Sequence, residues 1–160
     1  MRPNFSRAFV AGFAGTLVIT LMMYFVSPWM TGGPMDIASL LGILFGGSWA
    51  AGIVAHAVIG TLILPALYCF LFFRLLTGSP AVRGMSWGLI LWFVSQAAVM
   101  PLLGAGLFSD RIGGLSVALD SLIGHLAYGL VFGLIAGGTH EPSREHSANF
   151  GSHAPMRRAG

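Results

Sequence analysis

With 160 residues, 56% hydrophobic and 8% charged, the chain has too little polar surface to coat a water-soluble globule of its size. Its mean hydropathy of +0.82 places it in a membrane. The formal charge of +3 comes from eight arginines set against five acids, and the arginines gather at the ends of apolar runs, so the basic balance reads as topology and gives nucleic-acid binding no support.

A helix needs about 20 apolar residues to cross a hydrocarbon core, and four stretches meet that length. The first is expected at residues 9–30, after Arg2 and Arg7. It is longer than a secretory signal core, and Ser27-Pro28-Trp29-Met30 lacks a small-x-small cleavage pattern, so it reads as a retained helix. Gly32-Gly33-Pro34-Met35-Asp36 then looks like a turn opening a short helix over Ile37–Gly42, with Asp36 placed where a carboxylate suits the helix dipole. The second span is expected at 48–73 and carries His56 and Cys69, the only cysteine, which excludes an intrachain disulfide and a multi-thiolate zinc site.

Arg74 and Arg83 precede a third span at 84–105, which carries Ser95 and Gln96. A turn around Pro101–Gly106 and the charge pair Asp110-Arg111 lead to a fourth span at 116–137, which carries Asp120, Ser121 and His125. Trp29, Trp49 and Trp87 are expected as anchors at the headgroup boundaries. From residue 139 onward the composition turns to Ser, Glu, Pro, His and Arg, the signature of a disordered tail, so the transmembrane domain is set at 1–138. Seven of the eight arginines fall on the side of the termini and one, Arg111, on the other. By the positive-inside rule both termini are expected in the cytoplasm, with the chain in a bacterial cytoplasmic membrane.

Two histidines stand alike within apolar spans: Gly52-x3-His56-x3-Gly60 and Ser121-x3-His125-x3-Gly129. They lie 69 residues apart, as do Gly60 and Gly129, and Gly15 and Gly84, which points to a tandem repeat of a two-helix unit. Both would lie in the outer half of the bilayer, where Tyr24, Gln96 and Asp120 converge as a possible polar relay. An ionisable side chain inside a membrane helix is disfavoured unless it meets a partner, a cavity or a ligand, so the pair marks a candidate site.

Several chemistries fit the pair. Small residues four apart let backbones approach, and a histidine there bonds to a neighbouring helix, the arrangement of an accessory or assembly subunit whose histidines merely pack. The sharper reading is a b-type haem with His56 and His125 as axial iron ligands and Gly52, Gly60, Ser121 and Gly129 making room for the macrocycle, serving electron transfer with a quinol or a respiratory-complex subunit. A bare ion held with Asp36, Asp120, Met30, Met35 or Met100 is a third reading, with thioethers favouring copper(I) and carboxylates zinc or iron. A proton relay, or a carrier of a small solute or quinone, is a fourth.

Phosphate-binding glycine loops, nucleophile elbows and His-Glu-x-x-His motifs are absent, so a stand-alone enzyme is not expected. The size, the Pro34-Met35-Asp36 loop and the two His-x3-Gly spans resemble the small four-helix inner-membrane proteins of unknown function found in bacteria, over residues 5–138. That resemblance implies no activity and assigns no site.

Overall fold

The computed structural model describes residues 3–137, and the tail expected at 139–160 lies outside them. Four helices, Phe5–Phe25, Trp49–Phe72, Pro80–Leu102 and Leu115–Gly137, are 21 to 24 residues long and apolar enough to cross a membrane. No strand occurs among the described residues. The chain is an all-α, multi-pass membrane protein.

Capping residues set where the helices begin. The Asn4 side chain accepts from Arg7 N–H at 3.0 Å. Ser48 opens the second span, and Ser79 opens the third ahead of Pro80. The first and third spans therefore start four residues before the expected positions, which carries Arg7 and Arg83 inside helices. Each arginine reaches back to a helix end: Arg7 Nη2 donates to the Ile135 carbonyl at 2.7 Å, and Arg83 Nη2 to that of Phe73 at 2.9 Å. Such snorkelling keeps a charge near the interface while its stem stays in apolar surroundings. The first span ends at Phe25 rather than residue 30, because a separate short helix, Ser27–Thr31, follows with Pro28 in its first turn.

The spans pack with small residues inside and large ones outside. Ala8, Ala11, Gly12, Gly15 and Thr16 are the buried face of the first span, whereas Val10, Phe13, Leu17 and Leu21 are exposed. In lipid there is no hydrophobic drive to bury leucine, and close backbone contact gains more. The third span runs along the fourth, the fourth along the first, and the first along the second. At the third–fourth interface a Cβ on Gly84 would lie 2.1 Å from the Gly129 carbonyl oxygen and 2.6 Å from Gly133 Cα. At the first–second interface a Cβ on Gly60 would lie 2.2 Å from Thr16 Oγ1.

We call the face holding the 26–48 and 103–114 connections distal. There Ile37–Gly42 forms the expected short helix, and Asp36 is its cap. Its carboxylate accepts from Ser39 N–H at 3.1 Å, Ser39 Oγ at 2.6 Å, Tyr24 Oη at 3.1 Å and Trp49 Nε1 at 3.2 Å. Burial alone would raise the Asp36 pKa, but these bonds outweigh it and hold the carboxyl below its ordinary value. The stabilisation is thus present above the ordinary carboxylate pKa and is lost as pH falls through the lowered one. Asp36→Ala is expected to lower stability by about 1 kcal/mol, the usual worth of such a cap, as read by thermal unfolding in detergent at neutral pH. An unchanged midpoint would show that the cap contributes nothing.

The helix Ile37–Gly42 crosses the second span closely, since a Cβ on Gly52 would meet the Ala38 carbonyl oxygen at 1.8 Å. In the other distal connection Phe108 and Ser109 take left-handed backbone angles, with φ of 49° and 61°. The Ser109 hydroxyl, donating to Gln96 Oε1 at 2.8 Å, helps hold that turn. Trp29, 90% exposed, and Trp49 suit the expected anchoring role. Trp87 does not: it is fully buried in the proximal half, with its ring tilted against those of Tyr68 and Phe72.

Candidate functional site

His56 and His125 line one cavity of about 180 Å³. Counted from the helix starts, His56 lies roughly 10 Å along its helix and His125 roughly 15 Å, so both fall in the distal half of the bundle. The walls are apolar, with Ile19, Ile59, Leu64, Leu91 and Val99 from the spans and Ile37 and Leu41 from the short helix as a lid. Met23 and Met100 also face it.

The helices are irregular where they border this space. Residues Ile59–Ile63 of the second span and Ser95–Val99 of the third adopt π-helical turns, in which Leu64 N–H bonds to the Ile59 carbonyl and Met100 N–H to that of Ser95. Each turn is followed two residues on by a proline, Pro65 and Pro101, which cannot donate to the regular ladder. Such wide turns recur at functional sites because they open a helix wall and free carbonyls. Here the Gly60 carbonyl accepts from Tyr128 Oη at 3.0 Å across the bundle.

Hydrogen bonds assign the imidazole tautomers. His125 Nδ1 lies 2.7 Å from the Ser121 carbonyl, which only accepts, so Nδ1 carries the proton and Nε2 keeps its lone pair. The Thr20 hydroxyl gives its proton to the Thr16 carbonyl at 2.7 Å, so His56 Nε2–H donates to Thr20 Oγ1 at 3.1 Å and Nδ1 holds the lone pair. Thr16 also lines the cavity, but its hydroxyl is buried against Gly60 and has no hydrogen-bond partner.

The small residues flanking the histidines are taken up by packing. Gly52 is closed by Ala38 and Gly42, Gly60 by Thr16, and Gly129 by the backbone of Gly84 and Gly88. Ser121 joins a buried chain in which Gln96 Nε2 donates to Ser121 Oγ at 3.2 Å and Ser109 to Gln96. The relay residues expected together separate into three roles. Gln96 anchors Ser121 and the strained turn, and Tyr24 donates to Asp36. Asp120, 6% exposed, accepts a hydrogen bond from the Ser27 hydroxyl.

Of the candidate metal ligands, Asp36, Asp120 and Met35 do not line the histidine cavity, whereas Met100 does. No group of three His, Cys, Asp or Glu side chains fit to hold an ion occurs among the described residues. Cys69 is buried elsewhere in the second span. Sequence reasoning passed over Met23 and the two wide turns; the in-span prolines were the available signal for the turns.

No curated protein and no solved structure matches the chain. A family model does match, over residues 3–147, and its description is a family of unknown function. The chain, with its histidine-lined cavity, belongs to that family, DUF6789.

Proposed function

We propose that the cavity binds the ring of a lipid-soluble quinol, in a bacterial cytoplasmic membrane with both termini in the cytoplasm. The observation that carries this reading is a ring-sized apolar cavity lined by two imidazoles, each with one nitrogen free to accept a proton. Cavities of roughly 150 Å³ admit a benzene-sized ring, and this one has about 180 Å³. A quinol hydroxyl donates to His125 Nε2. The cavity lies between the distal halves of the second and third spans, whose proximal ends are joined by Tyr68, Phe72 and Trp87, so an isoprenoid tail has a way out to the bilayer past the half-exposed Val94.

The test is calorimetric titration of a short-chain quinol into the protein in lipid nanodiscs. Saturable binding with 1:1 stoichiometry is expected. Heats no larger than those of empty discs would sink the reading and leave an accessory subunit whose histidines pack.

A haem is the second reading, favoured by one observation: His125 donates its Nδ1 proton to a carbonyl, as metal-ligating histidines do. Against it stand the closed glycines and a cavity smaller than the roughly 300–1,000 Å³ usual for drug-sized ligands. A dithionite-reduced minus oxidised spectrum of protein expressed with haem supply separates the two. A colourless protein is expected; a low-spin α-band lost in His125→Ala would favour the haem.

A further inference from the structure

Three spaces follow one another from the distal surface inward. The first is a vestibule of about 360 Å³ between the 31–40 segment and the start of the fourth span, lined by Asp36, Met35, Val117 and Asp120. The second is a gap of about 10 Å³, the size of a single water, bordered by Ser27, Met35, Asp120, Ser121 and Gly124 as well as Ile19 and Met23. The third is the histidine cavity, which Ile19 and Met23 also line. Asp120 faces both the vestibule and the gap. Ser121 faces the gap, and its Oγ lies 3.3 Å from His125 Nδ1.

We propose that Asp120 is the proton-exchange residue connecting His125 with the aqueous phase at the distal face. His125 receives a proton at Nε2 on the cavity side and releases the Nδ1 proton on the other, through the Ser121 hydroxyl and a water in the gap. The Asp120 carboxylate accepts it and passes it to water in the vestibule, so one proton crosses, the carboxylate is restored and His125 is left with its proton on Nε2. The Ser27 hydroxyl holds the carboxylate in place between the two spaces. A buried carboxylate in a membrane helix is costly, and a position on a proton route accounts for it. Around Asp120, the ionisable groups are Asp36 across the vestibule and His125 further along its own helix; the residues bordering the gap from the first span and from Ser27–Thr31 are Ile19, Met22, Met23 and Ser27. Gln96, whose amide bonds Ser121, orients that hydroxyl and carries no proton itself. This connection rests on the three spaces and holds whether or not a quinol occupies the cavity.

The experiment follows solvent exchange of the His125 Nδ1 proton by NMR in nanodiscs, with nitrogen-15-labelled histidine and no ligand added. Asp120→Asn keeps the shape and the acceptor for Ser27, and is expected to slow exchange at least tenfold. Gly124→Ala places a methyl 3.1 Å from Ile19 Cγ1 beside the gap, and is expected to slow it as well. Asp36→Asn is expected to leave the rate within twofold. Wild-type exchange in Asp120→Asn would overturn the proposal, as would equal slowing in Asp36→Asn, which would assign the effect to vestibule charge. Should Asp120→Asn fail to fold, Gly124→Ala decides: slowed exchange supports the route and an unchanged rate overturns it.

Discussion

Gly84→Ala is expected to destabilise the bundle by about 3 kcal/mol, the upper end of the usual cost of overpacking a core. The added methyl would lie 2.1 Å from the Gly129 carbonyl oxygen, 2.6 Å from Gly133 Cα and 2.7 Å from Gly133 N. All three are backbone atoms, so no side chain can rotate away and the helices must separate along the most extensive interface in the molecule. Unfolding by SDS titration from mixed micelles measures the loss. Gly33→Ala is the control, since its new methyl meets nothing within 4 Å, and a change within about 0.5 kcal/mol is expected. A loss below 1 kcal/mol at Gly84 would mean that this contact is not what sets the approach of the two spans.

His125→Leu is expected to raise the Kd for a short-chain quinol at least tenfold while the protein still folds. A hydrogen bond from a ligand hydroxyl to an imidazole in a dry, apolar cavity has no water to compete with it, and losing about 1.4 kcal/mol of binding already gives a factor of ten. Leucine fills similar space, and the Ser121 carbonyl keeps its helical bond, so packing changes little. Val99, on the cavity wall, gives the complementary result: a larger side chain there, as in Val99→Phe, should block binding without removing either histidine. Unchanged affinity in both variants would place the quinol somewhere else on the protein.

Much of this fold is legible in the hydropathy alone, because a membrane leaves helices as the economical way to satisfy the backbone. Four apolar runs became four helices, and Pro34 and Asp36 marked the short helix Ile37–Gly42. The ends were misplaced where the reading followed apolar composition instead of caps: Asn4 and Ser79 start helices that then carry an arginine in their first turns. At the site, the His-x3-Gly spacing singled out the two residues that come to share a cavity. The purpose of the glycines was not legible, since spacing puts Gly52, His56 and Gly60 on one stripe without saying which atoms face them. Gly52 serves the crossing by Ile37–Gly42, a long-range contact that no local pattern encodes. The same holds for Asp120 and Ser27, which lie 93 residues apart in the chain.

The second span contains two π-helical turns, Ile59–Ile63 and Tyr68–Phe72, with four regular residues between them. Each holds one residue more than a plain helix needs to complete its turn. Deleting a single residue from Ile59–Ile63 would let the turn relax to 3.6 residues per turn while the two flanking halves keep their facing. His56 would stay against Thr20, and Tyr68 against Trp87 and Phe132. A single-residue gap should therefore be better tolerated at this wide turn than in the fourth span, where the same deletion would rotate one half of the helix against the other by about 100°. In the corresponding length of the fourth span, a continuous α-helix, a one-residue insertion has the ready escape of forming such a turn itself.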